Sequence, residues 1–324
     1  SLNFARLGGR EHETTAGLTL TIERHYPWPE LPGRGSLSAI VAAGWRPGLL
    51  DPRCPDGAAL ARVAFIDIET TGLSLGAGTV AFLVGVLHAD PDGLLLRQFL
   101  LRDFAEEAAQ QLALAEAMAG YDVVVTYNGG RFDLPILRSR SVINRVDAPW
   151  LELAHLDLLH PVRTVWRELW PDCRLATAEN RLLGVVRAVD CEGWEVPLRY
   201  RRFLQEQNEE PLIEVLEHNA QDLLSLAGLT AVLQSLFDPE RGDFGLTQAE
   251  TFGLARALAS RGRLEECIGV LRRGRAMGRL TPAYGRAMRM LVRLLKRRGD
   301  WEEARAIWLE LAAGAEPRER FWAL

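Results

Sequence analysis

Between residues 60 and 126 the apolar residues fall in short, dense runs, and after residue 150 they recur at helical spacing. Arg62-Val63-Ala64-Phe65-Ile66 leads into Asp67-Ile68-Glu69-Thr70-Thr71-Gly72, where apolar and acidic positions alternate as on a strand. Thr79 to Leu87 is a continuous β-branched and apolar run, Asp90-Pro91-Asp92-Gly93 is a turn, and Leu94 to Leu101 returns. These predict an antiparallel hairpin beside the first strand. Ala105 to Ala119 has helical spacing and stops at Gly120; Asp122 to Thr126 reads as a short buried strand. Gly129-Gly130 breaks the chain before a helix over Leu134 to Ser141. Strands, helix, strand and helix in that order predict a mixed sheet with helices on its faces.

The flanks differ. Residues 1–57 form an N-terminal arm, with one alternating stretch at Leu18 to Ile22 and then a crowd of prolines. Residues 150–237 read as mostly helical, and Leu212 to Phe237 as one long helix or two joined ones. Asp238-Pro239 and Gly242-Asp243 mark a boundary, so the central domain spans 58–238 and a helical one 245–324. In that last stretch Arg256 to Cys267 resembles Arg293 to Ala304 at an offset of 37 residues, near the repeat length of tetratricopeptide arrays. In both copies a helix ends at glycine and the next opens on acids.

Composition narrows the classes. The 324 residues are 48% hydrophobic, enough for a core in two domains. No apolar run approaches the roughly 20 residues of a membrane span, so no membrane partner is expected. Cys54, Cys173, Cys191 and Cys267 are scattered, which argues against a zinc site or a disulfide framework and fits a reducing cytoplasm. The net charge of −5 gives no global attraction to nucleic acid. Arginines cluster at 199, 201 and 202, at 272, 273 and 275, and at 297 and 298, as solvated helix faces or as parts of a basic groove.

The candidate chemistry starts with Asp67 and Glu69. Side chains two apart on a strand share a face, and a divalent cation relieves two such charges at a strand end. A bare Asp-x-Glu is also a common way for a strand to enter solvent. Asp133, in Tyr127-Asn128-Gly129-Gly130-Arg131-Phe132-Asp133, opens the following helix, where an aspartate also serves as a cap. His218 and Asp222 lie four apart on one helix face, as a local pair or as site residues. Four carboxylates and one imidazole are the ingredients of a two-metal phosphodiester site.

With these motifs in order, the chain resembles the DEDD superfamily of 3′–5′ exonucleases, and within it the bacterial YprB-like nuclease domain. Asp67 to Gly72, Asn128 to Asp133 and His218 to Asp222 match the three motifs. His155 to His160, Glu179 to Gly184 and Pro197 to Tyr200 add support. The resemblance implies a ribonuclease H-like, mixed five-stranded sheet with flanking helices, plus an all-α tetratricopeptide-like tail. It implies Asp67, Glu69, Asp133 and Asp222 as ligands of two Mg²⁺ or Mn²⁺ ions, and His218 as the residue that handles the attacking water. It implies a terminal-nucleotide pocket at Thr70, Thr71, Gly72 and Leu73, with Asn128 touching substrate or holding Asp133. One departure stands out: His218 is four residues before the last aspartate, the spacing of the subtype that uses tyrosine. Asp157 is expected to support the site rather than to bind metal. The expected reaction is 3′–5′ hydrolysis of single-stranded nucleic acid, DNA slightly favoured, along a path past Arg199, Arg201 and Arg202 with Tyr200 or Trp194 for stacking. The alternatives are an endonuclease on structured RNA or hybrid, and a repeat-based binder of a protein partner on an inactive nuclease scaffold.

Overall fold

The computed structural model describes residues 4–28, 45–54, 62–72, 76, 78–187, 193–238 and 245–313. Two compact units share the chain: Ser1–Leu159 with Arg174–Ser235, and His160–Cys173 with Leu236–Leu324.

The first unit is built on a seven-stranded mixed sheet, two strands more than the five expected. Its strands are β1 (Gly9–Thr14), β2 (Gly17–Pro27), β3 (Val63–Thr70), β4 (Ala81–Asp90), β5 (Gly93–Leu100), β6 (Val123–Thr126) and β7 (Ala154–Asp157). They lie in the order β1-β2-β5-β4-β3-β6-β7. The extra pair is a hairpin from the N-terminal stretch: β2 runs antiparallel to β5, and β1 closes the edge. The sequence Gly9-Arg10-Glu11-His12-Glu13-Thr14 is polar because β1 is an edge strand whose middle four residues are exposed. β7 lies within the stretch read as mostly helical; at four residues it is too short to show a period.

β3, β4 and β5 form an antiparallel meander, whereas β6 and β7 run parallel to β3. Helices α1 (Glu107–Met118) and α2 (Asp133–Asn144) cover one face, where Ile66, Ile68, Val84 and Val86 pack with Leu114 and Leu137. Helix α3 (Leu159–Trp166) follows β7. The other face meets α4 (Val196–Glu206) and α5 (Glu210–Phe237), through Leu83 and Leu100 against Tyr200, Phe203, Leu212 and Leu216. Period two on β3 therefore sends the isoleucines to α1 and α2, and Asp67 and Glu69 to the α5 side. Tyr200, a stacking candidate, is a core residue: it is 1% exposed and lies flat on Phe82 at 3.9 Å. Trp194 is exposed. Arg199 pairs with Glu195 and Glu214, and Arg202 with Glu206.

Helix α5 corrects one expectation. Its 28 residues, mean hydropathy 1.2 over the most apolar window, are long and apolar enough to cross a membrane, but 83% of that window is buried inside the protein. The apolar character serves the core.

The second unit is helical. Helices α6 (Gln248–Ser260), α7 (Leu264–Ala276), α8 (Tyr284–Arg298) and α9 (Trp301–Ala313) follow in order, with α6 against α7, α7 against α8, and α8 against α9. Thr247 and Glu250 make a capping box that starts α6. Gly299, at φ 94°, ends α8 in the left-handed conformation.

Candidate active site

Parallel pairing sets the position of the site. β6 meets β3 only along Val63 to Phe65, and β7 in turn meets β6. β3 therefore runs on past its neighbour, and Asp67, Glu69 and Thr70 project beyond the carboxyl end of β6. Asp133, in the first turn of α2, comes to this overhang, where the Ile68 backbone favours the charged form of its carboxylate. The second motif is thus brought beside the first.

The turn that delivers Asp133 has few conformational choices. Asn128 sits at φ 65°, a region where asparagine is tolerated better than most residues. A Cβ on Gly129 would lie 2.4 Å from Thr126 Oγ1, so only glycine fits. Asp157, at the end of β7, accepts the N–H groups of Asn128 (2.8 Å), Leu159 (3.0 Å) and Gly130 (3.4 Å). Its carboxylate is occupied in holding this turn.

Helix α5 brings His218, Asn219 and Asp222 to the same place. Asn219, which the sequence reading left out of the site, is fully buried and donates from Nδ2 to the Asp67 carboxylate at 2.8 Å and to the Asp67 carbonyl at 3.2 Å. Its own Oδ1 accepts from Gln98 on β5 at 2.9 Å. Space for it exists because Gly85, the residue on β4 directly opposite Asp67, has no side chain. A Cβ there would come within 2.3 Å of Asn219 Oδ1 and 2.5 Å of Leu223 Cδ1. Gly85→Ala should therefore push α5 off the sheet, costing about 1–3 kcal/mol, and should draw Asn219 away from Asp67. Denaturant unfolding checks it, and an unchanged midpoint would contradict the packing.

The electrostatics are those of crowded anions. Burial first, then Asp222, Glu69 and Asp133, hold Asp67 well above the usual carboxylate range. Burial, then Asp222 and Asp133, do the same to Glu69. Asp133 is raised from 3.8 to about 7, chiefly by burial and in part by Asp157 and Asp222, against the pull of two backbone bonds. Asp222 is raised by burial, although His218 and Arg187 favour its charged form.

Arg187 is the resident cation. Its guanidinium donates to both oxygens of Glu179 at 2.7 and 2.8 Å, to Asp222 Oδ1, and to His218 Nδ1 at 3.2 Å. Arginine only donates, so Nδ1 accepts and the imidazole proton sits on Nε2. Nε2 in turn faces Glu69 at 3.9 Å and Asp222 at 3.7 Å. Among the described residues no three histidine, cysteine, aspartate or glutamate side chains are arranged around a common point as metal ligands would be.

The pocket residues divide. Thr70 Oγ1 donates to the Gly72 carbonyl at 2.7 Å, and Thr71 Oγ1 accepts the Val80 N–H at 3.0 Å. Both hydroxyls close the loop that follows β3. A Cβ on Gly72 would meet nothing within 4 Å, so that backbone faces open space. Leu73 lies outside the described residues. Gln98, Asn219, Glu179 and Arg187 escaped sequence reading as site residues. His218-Asn219 and the stretch from Glu179 to Gly184 were visible signals for two of them, and no spacing marked Gln98 or Arg187.

Residues 64–234 match a family model described as the RNase_H superfamily. The chain is 31% identical over 267 residues to "Uncharacterized protein YprB" of Bacillus subtilis (strain 168), a match covering 80% of the chain and 62% of that relative. The chain thus spans less than two thirds of the curated relative it matches. Among solved structures it is similar to the family B DNA polymerase of the archaeon Pyrobaculum calidifontis (15% identity, TM-score 0.40, 67% of this chain and 29% of that one). It is also similar to exonuclease I in a product-bound structure (16% identity, TM-score 0.35, 54% of this chain and 45% of that one). At those scores neither establishes a shared fold.

Proposed function

Because the chain belongs to the RNase_H superfamily, we propose that it is a metal-dependent nuclease that hydrolyses phosphodiester bonds from the 3′ end of single-stranded nucleic acid, DNA slightly favoured. The observation that supports this best is the crowd of Asp67, Glu69, Asp133 and Asp222 in one place, where Glu69, Asp133 and Asp222 each raise the proton affinity of a neighbour. Anions brought together at a cost in solvation fit a centre that a multivalent cation completes.

The donor set fits Mg²⁺ or Mn²⁺: four carboxylates and no thiolate. Asp67, with Glu69, Asp133 and Asp222, would hold two ions, which when bound supply an activated water and charge stabilisation for the leaving oxygen. The chain's own residues do the rest. Asn219 fixes the rotamer of Asp67, and the Ile68 backbone favours the charged form of Asp133. His218 in the present tautomer presents Nε2–H to the carboxylates; for it to accept a proton there, Arg187 must leave Nδ1. The Gly72 backbone, facing open space, is the proposed seat of the terminal nucleotide, with Asn128 at its side. The four helices α6 to α9 are proposed as two hairpins of tetratricopeptide type.

A digestion of 5′-labelled single-stranded DNA and RNA, with free or blocked 3′ ends, tests this reading. The expected result is a ladder that shortens from the free 3′ end with Mg²⁺ or Mn²⁺, and that is absent with chelator and in Asp222→Ala. Cleavage of the blocked substrate would instead identify an endonuclease. No cleavage with any metal would leave a binding protein on a nuclease scaffold.

A further inference from the structure

Charge is divided unevenly along the chain. Residues 245–313 hold fourteen of the 38 lysines and arginines but only seven of the 43 acidic residues, so this stretch carries +7 and the remainder −12. The excess is ordered on one helix. In α8 the exposed positions include Arg286, Arg289, Arg293, Lys296 and Arg297. At about 100° per residue these five fall within about 100° of arc and run for about 16 Å along the axis, close to one cation per turn. The opposite side of the helix is core, with Met288, Leu291 and Leu295 fully buried.

Local partners do not consume this charge. Arg286 lies 3.8 Å from Glu168. Among the described residues no ion pair is formed by Arg289, Arg293, Lys296 or Arg297, whereas Arg272, Arg275 and Arg298 nearby are each paired to carboxylates. At the carboxyl end of the row stands Trp301, 61% exposed, with the Lys296 ammonium 5.8 Å from its ring centre. A cavity of about 300 Å³ opens beside the row, with Phe252, Leu271 and Met290 in its lining and Arg256, Arg286 and Arg293 among the charged groups around it.

We propose that this face of α8, with Trp301, is a second nucleic-acid-binding surface that tracks the sugar-phosphate backbone of a single strand. Cations repeating along a line match a polyanion better than a single anion, and an exposed indole beside them offers a base a face to stack on. An anionic bilayer fits less well, since a surface helix inserts its apolar side and here that side is buried in the protein. The choice of nucleic acid as the anion rests on the reading proposed above; the surface itself rests only on α8 and α9.

Binding of a labelled single-stranded oligonucleotide by the full chain in chelator, followed by fluorescence anisotropy over a range of salt, tests the surface without hydrolysis. Arg289→Glu with Arg293→Glu should weaken binding at least about ten-fold and reduce the salt slope by about 1.4, at roughly 0.7 per lost contact. Trp301→Ala should weaken it about ten-fold with the slope retained. The control Arg273→Glu with Arg305→Glu changes net charge equally on exposed positions of α7 and α9, and should weaken binding much less. An equal loss in the control would reduce the effect to net charge and overturn the proposal. So would full binding in the α8 variant, or stronger capture by anionic vesicles than by oligonucleotide. Hydrolysis of thymidine 5′-(p-nitrophenyl phosphate) with Mn²⁺, which needs no extended strand, reports on the catalytic centre alone. If the ester is cleaved and the α8 variant binds normally, the surface fails and the nuclease stands. If the ester is not cleaved and the α8 variant loses binding, the surface stands and the nuclease fails.

Discussion

Asp67→Asn should lose at least about 10³-fold in hydrolysis and, in chelator at pH 8, should melt at a higher temperature than the parent. The two effects have one cause. Asp67 is half-buried on the α5 face of β3 beside Asp222, Glu69 and Asp133, and these surroundings favour its protonated form. A neutral amide of the same shape removes the repulsion, and its oxygen can still accept from Asn219. It also removes a charge that a cation requires. The pH dependence has a defined sign. A carboxyl whose folded pKa is raised binds protons more readily in the folded state, so its contribution is fullest below the unfolded value and is lost as pH rises through the folded one. For Asp133 that window runs from 3.8 to about 7. The metal-free parent should therefore lose melting temperature between about pH 4 and 7, and Mg²⁺ should restore it at the upper end. Melts of both proteins across pH, with chelator and with Mg²⁺, check each part. A variant that still cleaves, or that melts below the parent in chelator at pH 8, would contradict the account.

What could be read from the chain follows from how local each cause is. Asp67 and Glu69 announce themselves because period two is written in six consecutive residues, and the tight turn at Gly129 because two glycines precede a helix. The place where these motifs meet depends on register. That Asp67 faces Gly85 on β4, and that Asn219 fills the space Gly85 leaves, depends on strand pairing and helix docking that no single stretch encodes. Arg187 is 35 residues from Asp222, in a stretch of no clear periodicity, and only the folded chain joins them. β1 was illegible because an edge strand needs no apolar face. β7 was illegible because four residues cannot show alternation. The membrane-like composition of α5 shows the converse: hydropathy measures what is buried, and here the burying medium is the protein's own core.

Arg187→Ala should destabilise the metal-free protein by about 3–5 kcal/mol, the cost of breaking a buried ion pair from one side, and Mn²⁺ should recover part of that loss. Glu179 is 1% exposed at its side chain, and its two oxygens are held by this one guanidinium. It opens a π-helical turn over Glu179–Leu183, an uncommon conformation. Burial would lower the proton affinity of the guanidinium, but Glu179 and Asp222 raise it, so the group is charged wherever the protein folds. Without it Glu179 is left as an uncompensated charge, and Asp222 loses the cation that favours its ionised form. A divalent ion at Asp222 would replace the second function and leave the first unmet. The parent and variant should thus differ more in chelator than in Mn²⁺. Calorimetric titration should show Mn²⁺ binding the variant more tightly, because no side chain then competes for Asp222. Arg187→Lys separates charge from geometry: one ammonium can neutralise but cannot bridge Glu179, Asp222 and His218 together. Equal destabilisation of Arg187→Ala with and without Mn²⁺, together with unchanged Mn²⁺ affinity, would show that Arg187 serves Glu179 alone.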